Sequence, residues 1–324
     1  MGLLPRVEIN DPSLQVKTRF GVLRNPIGLA AGLDKTGEHL SALEKLGFGY
    51  MAAGTVTLNP WPGNPKPRIV RNVKENTIVN CLGFPNPGVD RFVENLSKQK
   101  VSIPIVGSVS GQTVDDIVSC WEKLQSHVAA IELNLSSPNT AKLKDLREFE
   151  SFKELVTRLR PLKAKPAYLK IPPLLDGPES QFVEKSLSLV KLWHELGFDG
   201  ATVANSKPVV DKRLSIGTGG YSGPPLFPNV IRALDLVRKS VSDESFEINA
   251  VGGISSVDDV KTALRHGAKT VQIYTALVYE GPGLLKRILK RMLDEDVNRK
   301  KVAQVQAGVK GGVNCAKAGE SIKE

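Results

Sequence analysis

Residues 134–140, Asn-Leu-Ser-Ser-Pro-Asn-Thr, are the part of this sequence best equipped for chemistry. They follow directly on an apolar, strand-like run that ends at Asn134. Amides and hydroxyls crowded at the end of a strand can grip a small, flat, hydrogen-bonding ligand and place a proton acceptor beside it. Ordinary Asn/Ser/Pro turns have the same composition. Whether this segment is a ligand site or only a turn therefore depends on which other residues the fold places beside it.

The elements that must position these residues follow a regular pattern, in which short apolar segments alternate with amphipathic helical ones. Strands are predicted at residues 26–31, 50–56, 103–109, 130–135, 167–171, 200–204, 248–251 and 270–274. Helices are predicted at residues 35–46, 89–98, 113–124, 145–159, 179–196, 229–239, 256–266 and 283–293. Such alternation requires a parallel sheet, and eight pairs in one chain predict an α/β fold, a (β/α)8 TIM barrel. An open, doubly wound sheet is the structural alternative.

A polar, proline-rich insertion at residues 58–68 follows the second predicted strand. We expect a small excursion over the top of the barrel there, with a hairpin through residues 69–78. Residues 1–293 are then a single barrel domain. We expect residues 294–324 to form a weakly structured C-terminal tail, because the pattern fades and the last residues are rich in Gly, Ala, Lys and Val.

The composition, with 41% hydrophobic and 24% charged residues, is that of a soluble globular protein. The net charge of +10 favours anionic ligands or an anionic surface. Nucleic acid is not indicated, because the basic residues are scattered and aromatic residues are few. The three cysteines and four histidines show no disulfide or metal spacing, so we assign a reducing compartment and no metal. No apolar run reaches membrane-spanning length, and no signal-peptide core is visible.

In a TIM barrel the active site lies at the C-terminal ends of the strands. The predicted ends carry small residues, amides and two lysines, with almost no aliphatic bulk. Small residues let a planar ring and its phosphate approach the backbone, and amides pair with the edge of a heterocycle. These strand-end residues are 30–35, 54–57 and 134–140, Lys170, Asn205, Ser206, Gly252, Gly253, Tyr274 and Thr275.

The ends of the last two predicted strands are positions at which such barrels often bind a ligand phosphate. N–H groups of Gly252 and Gly253 could hold a dianion there together with a helix N-terminus at residues 255–256. Ser222 and Gly223 could add further contacts. No G-x-G-x-x-G opens a helix, so a dinucleotide fold is not indicated.

The two strand-end lysines admit several interpretations. Lys170 could be a surface cap, form a Schiff base, or stay protonated beside a cofactor that becomes anionic on reduction, as a flavin does. Lys35 could be paired with the adjacent Asp34 and be purely structural, or it could bind a ligand. The strand-end position favours a ligand role for each lysine.

Together these segments resemble the dihydroorotate dehydrogenases, most closely the quinone-linked class 2 of that family. The resemblance covers nearly the whole predicted barrel and is carried by residues 2–6, 25–35, 54–57, 62–68, 134–140 and 271–277. It implies bound FMN, with Ala30, Ala31 and Gly32 behind the isoalloxazine, Thr55, Asn134 and Ala204 nearby, Lys170 at the pyrimidine edge, and Ser222, Gly223, Gly252, Gly253, Tyr274 and Thr275 at the ribityl phosphate.

For the substrate, dihydroorotate, the resemblance implies Lys35, Asn80, Asn134, Asn139, Asn205 and Ser206, with a turn of Cys81, Leu82, Gly83 and Phe84 closing over it. Ser137 lies where the family places its catalytic base, which takes the C5 proton while a hydride leaves C6 for flavin N5. Serine is a poor base alone, so its proton needs a prepared path. By resemblance that path is a water near Thr140 and Phe84, and Lys35 completes the catalytic set.

The electron acceptor is the least determined part of the resemblance. Fumarate- and NAD-linked relatives carry cysteine at the base position, so Ser137 favours a quinone, with an archaeal-type serine variant as the exception. Quinone-linked members carry a pair of helices before the segment that corresponds to residues 3–6 of this sequence. Either the chain is therefore truncated or its acceptor differs. Arg71, expected near the quinone headgroup, favours truncation. A truncated class 2 enzyme would contact a membrane peripherally, at the bacterial cytoplasmic face or the mitochondrial inner membrane; otherwise the protein would be cytoplasmic.

Four positions depart from the family pattern. Ser108 stands where asparagine is usual and Ala204 where threonine is usual, and each could cost a hydrogen bond to FMN. Cys81 stands where a more polar residue is usual, and Pro85 replaces an expected asparagine.

The alternatives left open are a partner subunit, fumarate or NAD as acceptor, and a non-catalytic barrel used as a binding module. A dihydrouridine synthase would need a tRNA-binding extension and a cysteine acid, and neither is apparent. The oligomeric state is not determined by the sequence.

Overall fold

The apolar runs of the sequence form buried strands in the computed structural model, which describes residues 6–136, 145–175, 177 and 179–295. In chain order the strands are β1 (Val16–Thr18), β2 (Gly21–Leu23), β3 (Ile27–Leu29), β4 (Tyr50–Val56), β5 (Ile69–Asn72), β6 (Thr77–Asn80), β7 (Ile105–Val109), β8 (Ala130–Asn134), β9 (Ala167–Lys170), β10 (Gly200–Val203), β11 (Lys207–Val210), β12 (Thr218–Ser222), β13 (Glu247–Val251) and β14 (Thr270–Ile273).

Amphipathic segments form the helices, which pack their apolar faces on these strands. They are α1 (Leu40–Glu44), α2 (Val89–Ser97), α3 (Val114–Gln125), α4 (Phe149–Leu159), α5 (Gln181–Glu195), α6 (Phe227–Ser240), α7 (Val257–Arg265), α8 (Thr275–Glu280) and α9 (284–295). Short 3₁₀ turns lie at Pro12–Leu14, Val73–Glu75, Asp145–Arg147, Arg160–Leu162 and Pro224–Leu226. Capping boxes of Thr113 with Asp116 and Ser256 with Asp259 start α3 and α7.

The barrel strands pair in parallel in the order β3, β4, β7, β8, β9, β10, β13 and β14, and β14 pairs with β3 to close the ring. The predicted TIM barrel is therefore confirmed, and the open-sheet alternative is wrong. β4 and β8 are buried along their whole length, as expected for strands covered on both faces.

A plug fills the N-terminal end of the barrel. Phe20, in the turn between β1 and β2, lies edge-on to Tyr50 at 5.3 Å and to Tyr168 at 5.7 Å between ring centroids. The buried tyrosine hydroxyls are satisfied, because Tyr50 bonds Thr270 over 2.7 Å and Tyr168 donates to Glu247 over 2.6 Å. Because side chains fill the N-terminal end of the barrel, the C-terminal ends of the strands remain available to a ligand.

A second, antiparallel sheet lies beside those C-terminal ends. The hairpin predicted within residues 69–78 is confirmed by the pairing of β5 with β6, in which Arg71 opposes Ile78. β12 then pairs with β6, and β11 pairs with β12. The segment that follows β10, the sixth barrel strand, therefore completes the sheet that the hairpin begins. The sequence did not indicate these two strands.

Two predicted helices have different bounds. The one expected at residues 35–46 is reduced to α1, because Asp34 accepts the backbone N–H groups of Thr36, Gly37 and His39, each over 2.9 Å, and holds a turn. The one expected at 145–159 is divided into a 3₁₀ turn and α4, and α8 was not predicted.

The tail predicted from residue 294 falls almost wholly outside the described residues, and α9 continues through residue 295. The domain boundary at 293 therefore stays a prediction. Along the described chain, no helix combines the length and apolar character that crossing a bilayer requires.

Candidate active site

A cavity of about 340 Å³ opens at the C-terminal ends of the barrel strands, with the antiparallel sheet as one wall. Its volume falls in the usual range for small-molecule sites. The structure brings together most of the predicted site residues on its lining, namely Ala30, Ala31, Gly32, Lys35, Thr55, Arg71, Asn80, Leu82, Gly83, Phe84, Asn134, Lys170, Ala204, Asn205, Ser206, Ser222, Gly223, Gly252, Gly253, Tyr274 and Thr275. The predicted residues Ser137, Asn139 and Thr140 lie outside the described residues.

Small residues after β3 form the flat side of the cavity. Gly32 donates its N–H to the carbonyl of Gly54 over 2.7 Å, which fixes this backbone against the neighbouring strand. Its φ of +111° favours glycine. A Cβ there would stand 3.5 Å from the ring of Tyr274 and 3.6 Å from the Lys35 ammonium. Glycine therefore keeps open the space between these two lining side chains.

Asp34 and Lys35 have separate roles. The Asp34 carboxylate is used by the turn that precedes α1, whereas Lys35 lines the cavity and its ammonium donates to the carbonyl of Gly32. Burial, with a smaller effect of Arg68, lowers the pKa of Lys35 to about 8, against the opposing effect of Asp34. Lys35 is thus a cation poised near neutral pH, placed to meet an anionic ligand.

The ends of β4, β8 and β10 are joined by side-chain hydrogen bonds among amides and hydroxyls. Asn134 donates to Thr55 over 2.9 Å and accepts from the hydroxyl of Ser136 over 2.9 Å. Asn205 donates to that same Ser136 hydroxyl over 2.9 Å and accepts the N–H of Ser206 over 2.7 Å. The amides are therefore held in fixed orientations before any ligand binds.

Lys170, at the end of β9, is only 6% exposed, and its ammonium lies 3.5 Å from the carboxylate of Glu132, which is fully buried. A surface cap is ruled out by this burial. The carboxylate counter-charge suits an ammonium held beside a ligand better than a neutral amine about to form a Schiff base. Glu132 itself accepts the hydroxyl of Ser108 over 3.1 Å.

The opposite end of the cavity is lined by glycines. Gly223, Gly252 and Gly253 have φ values of +130°, +127° and +73°, and backbone with such torsions can approach a phosphate closely. Beside them, Thr275 donates to the hydroxyl of Ser222 over 3.0 Å.

The helix start expected to assist the glycines is already capped. The N–H groups of Ser255 and Ser256 both donate to the Asp259 carboxylate over 2.9 Å. Ser255 lines the cavity beside these glycines, and a contribution of this helix start to phosphate binding stays a prediction.

The turn after β6 contributes Leu82, Gly83 and Phe84 to the cavity. Phe84 has a left-handed φ of +57°. Cys81 was assigned to the same substrate turn, but its thiol is fully buried and faces the Pro67 carbonyl at 3.9 Å. Its side chain does not line the cavity, because successive residues of this extended segment point to opposite sides.

Several lining residues were not anticipated from the sequence. Most are apolar and lie near Arg71 or the glycine end: Ile69, Ile78, Pro224, Leu226, Val251, Ile254, Ala276 and Val278. Gln272, also on the lining, has a buried Oε1 without a hydrogen-bond partner among the described residues. A polar residue inside an apolar strand is a visible signal, and it would have singled out both Gln272 and Glu132. Within the described ranges, no group of three or more His, Cys, Asp or Glu side chains is arranged to hold a metal ion.

The fold and the cavity define a class of protein, the (β/α)8 barrels with a small-molecule cavity at the C-terminal ends of the strands. The family model for dihydroorotate dehydrogenase matches residues 13–295. The chain therefore belongs to the dihydroorotate dehydrogenase family.

Individual relatives agree with this assignment. The dihydroorotate dehydrogenase (quinone) of Coxiella burnetii strain Dugway 5J108-111 is 38% identical, over 86% of each chain. That of Neisseria meningitidis serogroup B is 36% identical, over 90% of each chain. The crystal structure of the Eimeria tenella enzyme in complex with ferulenol superposes with a TM-score of 0.82 and 28% identity, covering 94% of this chain and 90% of that one.

Proposed function

We propose that this protein oxidises (S)-dihydroorotate to orotate with bound FMN, as a step of pyrimidine (UMP) synthesis, and passes the electrons to a quinone. The observation that carries the proposal is the convergence on one cavity of Lys35, the Asn134 and Asn205 amides, Lys170 and a glycine-lined end. Each of these groups matches a different part of the cofactor or the substrate.

The residues present fit FMN. The backbone of Ala30–Gly32 offers a flat face without bulky side chains, and the buried Lys170 ammonium offers a positive charge at one edge. The glycines of positive φ and the hydroxyls of Ser222 and Thr275 suit a phosphate at the other end. When bound, FMN would supply the acceptor for the substrate's hydride.

The remaining residues bind and orient the substrate. Dihydroorotate carries a carboxylate, which the Lys35 ammonium would pair with, and ring amide groups, which Asn134 and Asn205 would bond. Asn80 and Phe84 would enclose it from the turn after β6. Ser137 would remove the C5 proton, an assignment that rests on the family resemblance.

A quinone acceptor is supported by the relatives from Coxiella burnetii and Neisseria meningitidis, which are both named dihydroorotate dehydrogenase (quinone). Arg71 lies on the cavity wall formed by the antiparallel sheet, beside Ile69 and Ile78. Such a mixed apolar and cationic edge suits a quinone headgroup. Because quinones dissolve in lipid, the protein would meet a membrane peripherally, and its net charge of +10 favours an anionic surface.

The test is anaerobic mixing of the purified protein with dihydroorotate while the visible absorbance of oxidised flavin is followed. We expect rapid bleaching, and then recovery of absorbance on addition of a short-chain quinone. A flavin spectrum that dihydroorotate leaves unchanged would reject the substrate assignment. Recovery with fumarate or NAD, and not with quinone, would reject the acceptor.

A further inference from the structure

Glu132 is a buried carboxylate in the middle of an apolar strand. It has no solvent exposure, and one of its oxygens, Oε2, has no hydrogen-bond partner among the described residues. Its other oxygen, Oε1, accepts from Ser108 and faces the Lys170 ammonium. A buried, partly satisfied carboxylate is costly to the fold, so its presence next to a cavity-lining lysine calls for a functional reason.

The strand register fixes the position of this carboxylate. Ser108 on β7 is the direct neighbour of Glu132 on β8, and Lys170 on β9 is the direct neighbour of Asn134, two residues further along β8. The Ser108 hydroxyl also contacts that of Thr55 over 3.0 Å. A continuous set of hydrogen bonds therefore runs from the lining residues Asn134 and Thr55 down to Glu132 and across to Lys170.

We infer that Glu132 is a positioning residue that acts through Lys170. Its negative charge partly cancels the effect of the Lys170 ammonium on the bound flavin and thereby lowers the flavin's reduction potential. The inference rests on the proposed function. Reduction places negative charge on the flavin edge that Lys170 would face, and an ammonium alone would stabilise that charge. A carboxylate 3.5 Å from the ammonium opposes this stabilisation. The reduced flavin then releases its electrons more readily to the acceptor.

The test is the midpoint potential of the bound flavin, measured by anaerobic dye equilibration in the full-length protein and in three variants. Glu132→Gln removes the charge at nearly constant shape, and we expect a shift to more positive potential. Glu132→Asp keeps the charge and should stay close to the parent. Ser108→Ala removes a hydrogen-bond donor that partly neutralises the carboxylate, so we expect a smaller shift in the negative direction.

Half-reaction rates provide an independent readout of the same effect. In Glu132→Gln, reduction by dihydroorotate should become faster and reoxidation by quinone slower, whereas a purely structural defect would slow both. The matched control is Glu247→Gln. Glu247 is also a buried carboxylate, but it lies at the opposite end of the barrel and bonds Tyr168, so its loss should leave the potential unchanged.

The outcomes separate this inference from the proposed function. An unchanged potential in Glu132→Gln, with flavin still bleached by dihydroorotate, would overturn the inference and leave the proposed function standing. A parent protein that binds no flavin would overturn both. If Glu132→Gln does not fold, the decision passes to Ser108→Ala, for which an unchanged or more positive potential would overturn the inference.

Discussion

The side-chain amide of Asn134 donates a 2.9 Å hydrogen bond to the hydroxyl of Thr55, across 79 residues of sequence. The carbonyl oxygen of the same amide accepts the N–H and the hydroxyl of Ser136, over 3.2 Å and 2.9 Å. Both ends of the amide are thereby engaged, so its plane is fixed by contacts from β4 and from its own loop. A substrate bonded to Asn134, as we propose, would meet an amide that does not have to reorient on binding.

Removing the Thr55 hydroxyl with Thr55→Val should release this amide at nearly constant volume. We expect KM for dihydroorotate to rise by about fivefold, because the lost hydrogen bond is worth about 1 kcal/mol. The matched control is Thr202→Val, since Thr202 is buried in the same barrel and its hydroxyl has no partner within the described part of the chain. Equal effects of the two variants on KM would show that Thr55 does not orient Asn134.

The depressed pKa of Lys35 predicts a pH limit on substrate binding. Its pKa of about 8 means that the free protein loses this proton as the pH rises through that value. An anionic substrate needs the ammonium form, so kcat/KM for dihydroorotate should fall above about pH 8. Lys35→Arg keeps its charge to much higher pH and should lack this decline, whatever its absolute activity. A decline near pH 8 that survives in Lys35→Arg would have another origin.

Substitution of Gly253 tests whether the glycine-lined end of the cavity holds the phosphate of FMN. A Cβ added there would lie 2.5 Å from the backbone nitrogen of Phe227, at a φ of +73°. We expect Gly253→Ala to lower the thermal midpoint and to purify with much less flavin, read from the ratio of visible to protein absorbance. The control is Gly217→Ala, with a similar φ of +69° but nothing within 4 Å of its Cβ. It should cost about 1 kcal/mol through its torsion and retain its flavin.

Substitution of Phe20 tests whether packing at the N-terminal end of the barrel can change without an effect on the cavity at the C-terminal end. Phe20→Ala removes the ring that contacts Tyr50 and Tyr168 and should lower the free energy of unfolding by about 3 kcal/mol or more. Phe182→Ala, at a position 43% exposed, should change it by less than about 1 kcal/mol. Because the plug lies far from the strand ends, neither variant should change the flavin spectrum. A changed spectrum in Phe20→Ala would contradict that independence.

The barrel could be predicted from the sequence because its strands are continuous apolar runs, and the segments between them show the periodicity of amphipathic helices. The antiparallel sheet was only half predicted. β5 and β6 form a local hairpin, whereas β11 is largely exposed and so lacks an apolar pattern. Helix α8 is six residues long, which is too short for a 3.6-residue period to be distinguished.

The candidate site shows the same division between local and non-local information. Strand-end residues such as Asn134 and Lys170 could be identified because the barrel fixes where strand ends meet. The contact of Ser108 with Glu132 depends on the register between β7 and β8, which no local pattern specifies. Ser108 was singled out only as a departure from the family pattern, whereas the structure gives its hydroxyl two buried partners, Thr55 and Glu132.

The catalytic base is the prediction with the most direct consequence for the chemistry. Ser137 lies outside the described residues, but it follows Ser136, whose hydroxyl is bonded to Asn134 and Asn205. We expect Ser137→Ala to bind flavin normally and to slow flavin reduction by dihydroorotate by several orders of magnitude, because no other group would take the C5 proton. Ser137→Cys should retain part of the rate, since a thiolate is also a base. Stopped-flow bleaching measures both variants, and near-parental reduction in Ser137→Ala would show that another residue removes the proton.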